Sequence, residues 1–285
     1  MNRADGGGGP AAARWRSLVE RRRGEGPGGR DAQPCNLGTM AQRLRRDGAR
    51  DMTATPVFQA VCEALGPERT VIDLGAGTGR YAVPLARAGC RVWAVEPSPL
   101  MRQHMVEALA AEDAQVRGRV TIVAGSWPEA VAGLPRAEVA LASLVVHFHP
   151  DAPAFLRAMT AAATDRCVLA IRADQHHPLA LRLWPRFHPD DPFPAQPVAH
   201  DLEAVLAEIG VRPQVTVHSA ERPYGRYASQ EEAVRQVAGI LALREPADLA
   251  ALEAEVAALL RRDGEDGSWL ADLPPVREAL VAWKP

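Results

Sequence analysis

The residues Asp73-Leu74-Gly75-Ala76-Gly77-Thr78-Gly79 stand where a short apolar run, Val71–Leu74, gives way to a helical pattern. Glycines at such a junction permit positive φ and remove the Cβ atoms that would hold a ligand away from the backbone. Twenty-one residues beyond Gly75, Glu96 closes a second apolar run, Arg91–Val95. A carboxylate there can accept hydrogen bonds from both hydroxyls of a ribose. Loop and acid together describe a site for a cofactor that contains a nucleoside. Two common versions are excluded by spacing. A dinucleotide fingerprint, GxGxxG, needs glycine at position 80, where Arg80 stands, and no Gly-Lys-Ser/Thr follows to make a phosphate loop.

The histidines are the next candidates for chemistry. His147 lies in Ser143-Leu144-Val145-Val146-His147-Phe148-His149-Pro150-Asp151, just after a fourth apolar run. An imidazole titrates near neutrality, so His147 is the candidate general base, or else a residue that positions the substrate. His147, His149, His176, His177 and His188 match no common zinc spacing, and no metal is expected. Cys35, Cys62, Cys90 and Cys167 are widely spaced and form no CxxC pair, which reads as thiols in a reducing cytoplasm.

Residues 70–173 resemble the core of the class I (Rossmann-like) S-adenosylmethionine-dependent methyltransferases. In that family the glycine loop lies against the amino-acid part of the cofactor, and the acid after the second strand holds the ribose; Asp73, Gly75, Gly77, Gly79 and Glu96 match those positions. The family often has an acid after the third strand, near the adenine. Ser126 stands there in Gly125-Ser126-Trp127, with Trp127 available to stack on or shield the base. The resemblance therefore implies cofactor contacts from Asp73, Gly75, Ala76, Gly77, Gly79, Glu96, Pro97, Ser126, Trp127 and Ser143, with S-adenosylmethionine as donor and S-adenosylhomocysteine as product. The His147 segment is similar to the family loop beside the transferred methyl. The Asn/Asp-Pro-Pro-Tyr/Phe signature of base amino-methylation and the Pro-Cys dipeptide of cytosine methylation are missing, so a small-molecule acceptor, methylated on O, N or C, is favoured over nucleic acid. Three alternatives stand beside it: a protein or RNA methyltransferase, a cofactor-binding module without activity, and an NAD-dependent oxidoreductase.

These residues need a scaffold. From Thr70 strand and helix alternate, which predicts a doubly wound, mostly parallel seven-stranded α/β sheet with helical N- and C-terminal additions forming a cap. Strands are predicted at Val71–Leu74, Arg91–Val95, Val120–Val123, Glu138–Ser143, Val168–Arg172, Val215–His218 and Val276–Trp283, with helices at Gly79–Ala88, Pro99–Ala110 and Ala154–Ala162. Residues 1–35 read as a disordered or lid-like segment with a short amphipathic piece around Trp15–Leu18. Residues 36–69 read as N-terminal helices, 70–220 as the α/β core, and 221–285 as a helical insertion plus the final strand. Acceptor recognition is expected from residues 10–65, the loop 174–200 and the insertion 220–265. Trp184, Tyr224 and Tyr227 are candidate pocket aromatics there, and Arg182, Arg186, Arg222 and Arg226 are candidate anion partners.

Composition sets the outer bounds. The chain has 285 residues, 47% hydrophobic and 24% charged, with a net charge of −2, an ordinary globular balance without pull toward nucleic acid or membrane. Residues 1–50 are locally basic, with eleven Arg against five acids. No apolar run approaches the roughly 18 residues that span a bilayer, and no secretory signal precedes the Gly-rich start. A cytoplasmic protein is expected, and the sequence leaves monomer and homodimer both open.

Overall fold

The computed structural model describes residues 8–23, 51–131, 133–175, 177–220, 225–264, 267–274 and 276–285. Seven strands form one sheet: β1 (Thr70–Leu74), β2 (Arg91–Glu96), β3 (Val120–Ala124), β4 (Ala137–Ser143), β5 (Ala163–Arg172), β6 (Gln214–Ser219) and the late strand β10 (Arg277–Trp283). Their order is β3-β2-β1-β4-β5-β10-β6. The first five run parallel, and β10 inserts antiparallel to both β5 and β6. The doubly wound seven-stranded sheet expected from the alternation is the one present.

Alternate residues of the central strands face two separate cores, as a strand covered on both sides requires. Ile72, Leu74, Ala140, Ala142, Leu169 and Ile171 join one core. There they meet α1 (Pro10–Arg23), α6 (Ala152–Ala162) and α8 (Ala199–Glu208). Val71, Val139, Leu141 and Val168 face the other, under α2 (Pro56–Glu63), α3 (Ala82–Arg87) and α4 (Pro99–Ala110). Helix starts follow local chemistry. Thr55, Ser98 and Asp151 each accept a backbone N–H from the first turn of α2, α4 and α6, with proline at N1 or N2. Such caps satisfy N–H groups that the helix leaves open and forestall a loss of about 1 kcal/mol each. The short α5 (Ala114–Arg117) leads into β3.

Two segments depart from the sequence reading. Within the stretch expected to be disordered or lid-like, Pro10–Arg23 is a docked helix. Ala12, Trp15, Leu18 and Val19 are buried along one side, Trp15 to 0% exposure, so tertiary burial overrides the Arg- and Gly-rich composition. Of the N-terminal helices expected over residues 36–69, the part 36–50 lies outside the described residues. Within the expected loop 174–200, Pro178–Phe187 forms helix α7, which buries Leu179, Ala180, Leu183 and Trp184. Pro185 lies inside this helix, near its C-terminal end.

Helix α7 joins α9 (Gln230–Leu241), α10 (Pro246–Leu259) and a small antiparallel sheet of β7 (Arg226–Tyr227), β9 (Trp269–Ala271) and β8 (Leu260–Arg262). Together they enclose a third apolar core. The cap thus draws on residues on both sides of the expected 220/221 boundary.

Candidate active site

β1 lies between β2 and β4, so the direction of winding reverses beside it. The crevice outside the carboxyl ends of the strands at such a point is the ligand site of open α/β sheets. The turn after β1 is set by its backbone. Gly75 and Ala76 donate N–H bonds to the Val95 carbonyl at 2.8 and 3.0 Å, and Gly79 donates to Ala76 at 3.0 Å. Gly75 and Gly77 take φ of 70° and 59°. A Cβ on Gly75 would lie 2.5 Å from Cγ1 of Val145. Glycine is required there by both φ and space.

Two carboxylates meet beneath this turn. Glu96 ends β2, and its Oε2 accepts from Gly77 N at 2.9 Å while Oε1 accepts from Ser98 N at 2.8 Å. Arg102 secures the same corner through the Glu96 and Pro97 carbonyls, at 2.8 and 2.7 Å. Asp73 is 2% exposed, and its Oδ2 is buried without a hydrogen-bond partner among the described residues. Burial and then the nearby Glu96 charge push Asp73 up to about 7, against the opposing pull of Arg80. Burial also raises Glu96, opposed by the Ser98 and Gly77 N–H bonds and by Arg102. An ionised Asp73 is short of positive partners, so this end of the crevice favours a cation.

The crevice is a cavity of ≈ 460 Å3. Its walls include Asp73, Gly75, Ala76, Gly77, Glu96, Pro97, Ser126, Trp127 and Ser143, nine of the ten residues the sequence nominated for the cofactor. Gly79 is not on the wall. Its φ is 83°, and a Cβ there would come within 2.8 Å of Met105, so this glycine serves the turn and the packing of α4. Trp127 lines the cavity and also packs edge-on to Phe155 at 6.2 Å, donating its indole N–H to the Phe155 carbonyl at 3.2 Å.

His147 requires a correction. It is 2% exposed and lies behind the wall, not on it. Its Nε2 sits 3.2 Å from Nη1 of Arg172. A guanidinium can only donate, so Nε2 accepts and the ring proton is on Nδ1. Burial, then the charges of Arg172, Arg22 and His149, hold its pKa well below the ordinary imidazole value. A neutral ring whose lone pair is engaged by Arg172 is not placed to take a proton from an acceptor. The imidazole on the wall is that of His149, tilted against Phe155 at 4.8 Å.

Other wall residues were not nominated from the sequence: Met101, Phe148, Phe155 and Arg172 among them. One signal was present. Asp73, Glu96 and Ser143 all stand near strand carboxyl ends, and Arg172 is the last residue of β5. The residues proposed for acceptor recognition lie elsewhere. Trp184 and Tyr227 are buried in the cap core, and Arg186 and Arg226 pair with Glu255 and Asp263. Arg182 is exposed and absent from the wall, while Arg222 and Tyr224 lie outside the described residues.

Helix α1 buttresses the histidine loop. Trp15 Nε1 donates to the His149 carbonyl at 2.8 Å. The carboxylate of Glu208 receives the Ala11 and Ala12 N–H groups at 2.6 and 3.0 Å, and Arg14 reaches Asp201 at 2.9 Å. Farther along, Arg22 donates to Gln196, which exchanges bonds with Gln175 at 2.9 and 3.1 Å. Among the described residues no group of three or more His, Cys, Asp or Glu side chains is arranged to hold a metal, and no helix is long and apolar enough to cross a membrane.

Comparison with known proteins gives the same assignment for the core. Residues 71–165 match the family model described as a methyltransferase domain. No curated protein matches the chain. Among solved structures, a magnesium protoporphyrin IX methyltransferase from Synechocystis PCC 6803 with bound S-adenosylhomocysteine is 19% identical, with TM-score 0.46, over 73% of this chain and 90% of its own. A putative sarcosine dimethylglycine methyltransferase from Galdieria sulphuraria is 14% identical, with TM-score 0.48, over 85% of each chain. A glycopeptide N-methyltransferase is 15% identical, with TM-score 0.42, over 85% of this chain and all of its own. At these levels of likeness nothing about the acceptor carries over.

Proposed function

We propose that this chain, which carries a class I S-adenosylmethionine-dependent methyltransferase domain, methylates a small molecule on oxygen, nitrogen or carbon. The observation that carries the reading is the crevice at the switch point. Both carboxylates on its wall are at the β1/β2 end, and its volume is ≈ 460 Å3. That lies toward the lower part of the roughly 300–1,000 Å3 usual for small-ligand sites, and donor and acceptor must share it. Arginines of the basic N-terminal helix are engaged within the fold, Arg14 by Asp201, Arg16 by Asp151 and Arg22 by Gln196.

The residues present suit the cofactor. Asp73 and Glu96 offer negative charge to a cationic amino acid, Glu96 retains lone pairs for ribose hydroxyls beyond its two backbone bonds, and Trp127 with Met101 supplies apolar wall for a base. When bound, the cofactor supplies an activated methyl carbon on sulfur. The chain's own work is then to orient the acceptor and keep out water, with Phe148 and Phe155 closing the β4 side. Where the acceptor must lose a proton, we assign its removal to His149. Replacing His149 with Phe should cut turnover of such an acceptor by about 10²–10⁴-fold with S-adenosylhomocysteine affinity unchanged; full turnover would mean that alignment alone suffices.

The direct test incubates the protein and S-adenosylmethionine with a metabolite extract and looks by mass spectrometry for compounds that gain CH2. A small-molecule product supports the reading. Methyl incorporation confined to protein or RNA would replace it.

A further inference from the structure

The crevice wall changes character from one end to the other. Asp73 and Glu96 end β1 and β2, whereas the loop after β4 contributes Leu144, Val145 and Phe148, and α6 contributes Phe155. Phe155 is braced by two other rings, Trp127 edge-on at 6.2 Å and His149 tilted at 4.8 Å. Val145 packs against the glycine turn, since a Cβ on Gly75 would come within 2.5 Å of its Cγ1, so this apolar loop adjoins the half of the crevice that holds the carboxylates. At the β5 end, Arg172 and Glu278 are partners in the antiparallel ladder, 8% and 1% exposed. Residues directly opposite share one face with Cβ atoms about 5 Å apart, so a ligand at that end meets a guanidinium already matched by an acid.

The backbone of Leu144 is a second observation. Its φ is 56°, a left-handed conformation that bulky side chains rarely adopt and that clusters at ligand sites. Of the three described non-glycine residues with positive φ, Arg69, Leu144 and Ala242, it alone lines the crevice. The surrounding loop is pinned. Leu144 N donates to the Ala170 carbonyl at 2.9 Å, and Phe148 N and His149 N donate to the Val145 and Val146 carbonyls at 3.0 and 2.9 Å. Trp15 adds its indole N–H to the His149 carbonyl at 2.8 Å. Glycine would make the same turn without strain, so what the leucine adds is its side chain on the crevice wall. A preformed apolar slot binds a rigid partner at low ordering cost. An aromatic body gains offset or edge-on ring contacts there, while a charged body gives up its hydration against apolar side chains. A cationic body would also be repelled by the sulfonium of the donor.

We infer that the methyl acceptor is an uncharged molecule with a flat aromatic body, seated against Leu144, Phe148 and Phe155, and that Leu144 sets its fit. This rests on the methyltransferase reading and narrows it from small molecules in general to neutral aromatic ones. The aromatic body is the anchor, and the atom to be methylated lies on its rim, toward the β1/β2 end. Leu144 is a specificity residue, which explains a strained leucine where glycine would fold more easily.

The test measures binding on the full chain, with S-adenosylhomocysteine affinity read first by calorimetry. With S-adenosylhomocysteine saturating, small probes are then titrated by ligand-observed NMR. The probes are indole, 2-naphthol and 4-ethylphenol, each beside its ring-saturated counterpart and beside a carboxylate and an ammonium of the same skeleton. The inference expects at least one neutral aromatic probe to bind, with Kd tenfold or more below that of its saturated and charged counterparts. Leu144→Gly, which keeps the left-handed turn without strain, should raise that Kd tenfold or more. Leu144→Asn, also tolerant of this conformation, should do the same, and Leu144→Met should recover most of the loss. Retained S-adenosylhomocysteine binding certifies that a variant folds. Equal or tighter binding of the saturated or charged counterparts, an unchanged Kd in the folded Gly or Asn variant, or S-adenosylhomocysteine binding with no neutral aromatic probe bound each overturns the inference. Absence of S-adenosylhomocysteine binding to the parent chain would instead overturn the methyltransferase reading on which it stands.

Discussion

At the scale of single residues, Asp73 and Glu96 share the β1/β2 end of the crevice. Glu96 uses one oxygen to hold Gly77 and the other to hold Ser98, so it builds the glycine turn as well as lining the crevice. Glu96→Ala is expected to weaken S-adenosylhomocysteine binding by about 1–3 kcal/mol, the cost of losing charge-assisted hydrogen bonds; calorimetry showing no change would put the ribose elsewhere. Asp73 is different, for burial and then the Glu96 charge raise its carboxyl from 3.8 to about 7. The folded chain therefore binds more protons than the unfolded chain between those values, and this group's contribution to stability falls as pH rises from about 4 to about 7. Asp73→Asn should leave stability near pH 4 little changed and raise it at pH 8. The rise is bounded by on the order of 4 kcal/mol, the equivalent of the full pKa difference. Urea midpoints at the two pH values check this, and a variant less stable at pH 8 would mean that the ionised carboxyl is well solvated. The glycine spacing was legible because positive φ and close packing restrict residue type, and Glu96 because an acid that closes an apolar strand stands out. Arg172 and the neutral state of His147 were not, because nothing in one sequence says that the ends of β4 and β5 bring these two side chains within 3.2 Å.

Elements were legible where their pattern is self-sufficient and obscure where a partner makes them. The helix Pro99–Ala110 follows from Ser98 and Pro99, and β1, β2 and β4 follow from continuous apolar runs. Helix α1 has the apolar spacing Ala12, Trp15, Leu18 and Val19, but no acid in its first turn. Its N-terminal N–H groups are satisfied instead by Glu208, nearly two hundred residues away, so its best cap could not be read locally. Two substitutions separate these contributions. Trp15→Ala should cost about 3–5 kcal/mol, as for other large buried aromatic side chains. Glu208→Ala should cost about 1 kcal/mol through the lost cap, with the rest of the chain intact. Denaturant midpoints at unchanged slope measure both. Trp15→Ala within 1 kcal/mol of the parent would show that α1 is not seated on the core in solution. Since Trp15 also holds the His149 carbonyl, the same variant should lose turnover beyond its loss of folded population.

For the whole molecule, the strand order matters more than any one contact. Reversal of winding at β1 opens the crevice, and the antiparallel β10 inserts between β5 and β6, placing Glu278 opposite Arg172. The seven-stranded plan could be anticipated because strand and helix alternate so regularly from Thr70. The small sheet of β7, β8 and β9 could not, since two- and three-residue strands carry almost no periodic signal. A ligand seated across the ends of β1, β2 and β4 ties both apolar faces of the sheet to one site, so binding should raise the stability of the described core as a unit. Saturation at about 100 times Kd adds about 2.7 kcal/mol. For a chain somewhat above 250 residues, each kcal/mol moves Tm by roughly 2–4 °C, so S-adenosylhomocysteine should raise Tm by about 5–10 °C. NAD should leave it unmoved, because Arg80 occupies the position where the dinucleotide turn needs glycine. A Tm that rises with NAD and not with S-adenosylhomocysteine would reverse the cofactor assignment while leaving the fold as described.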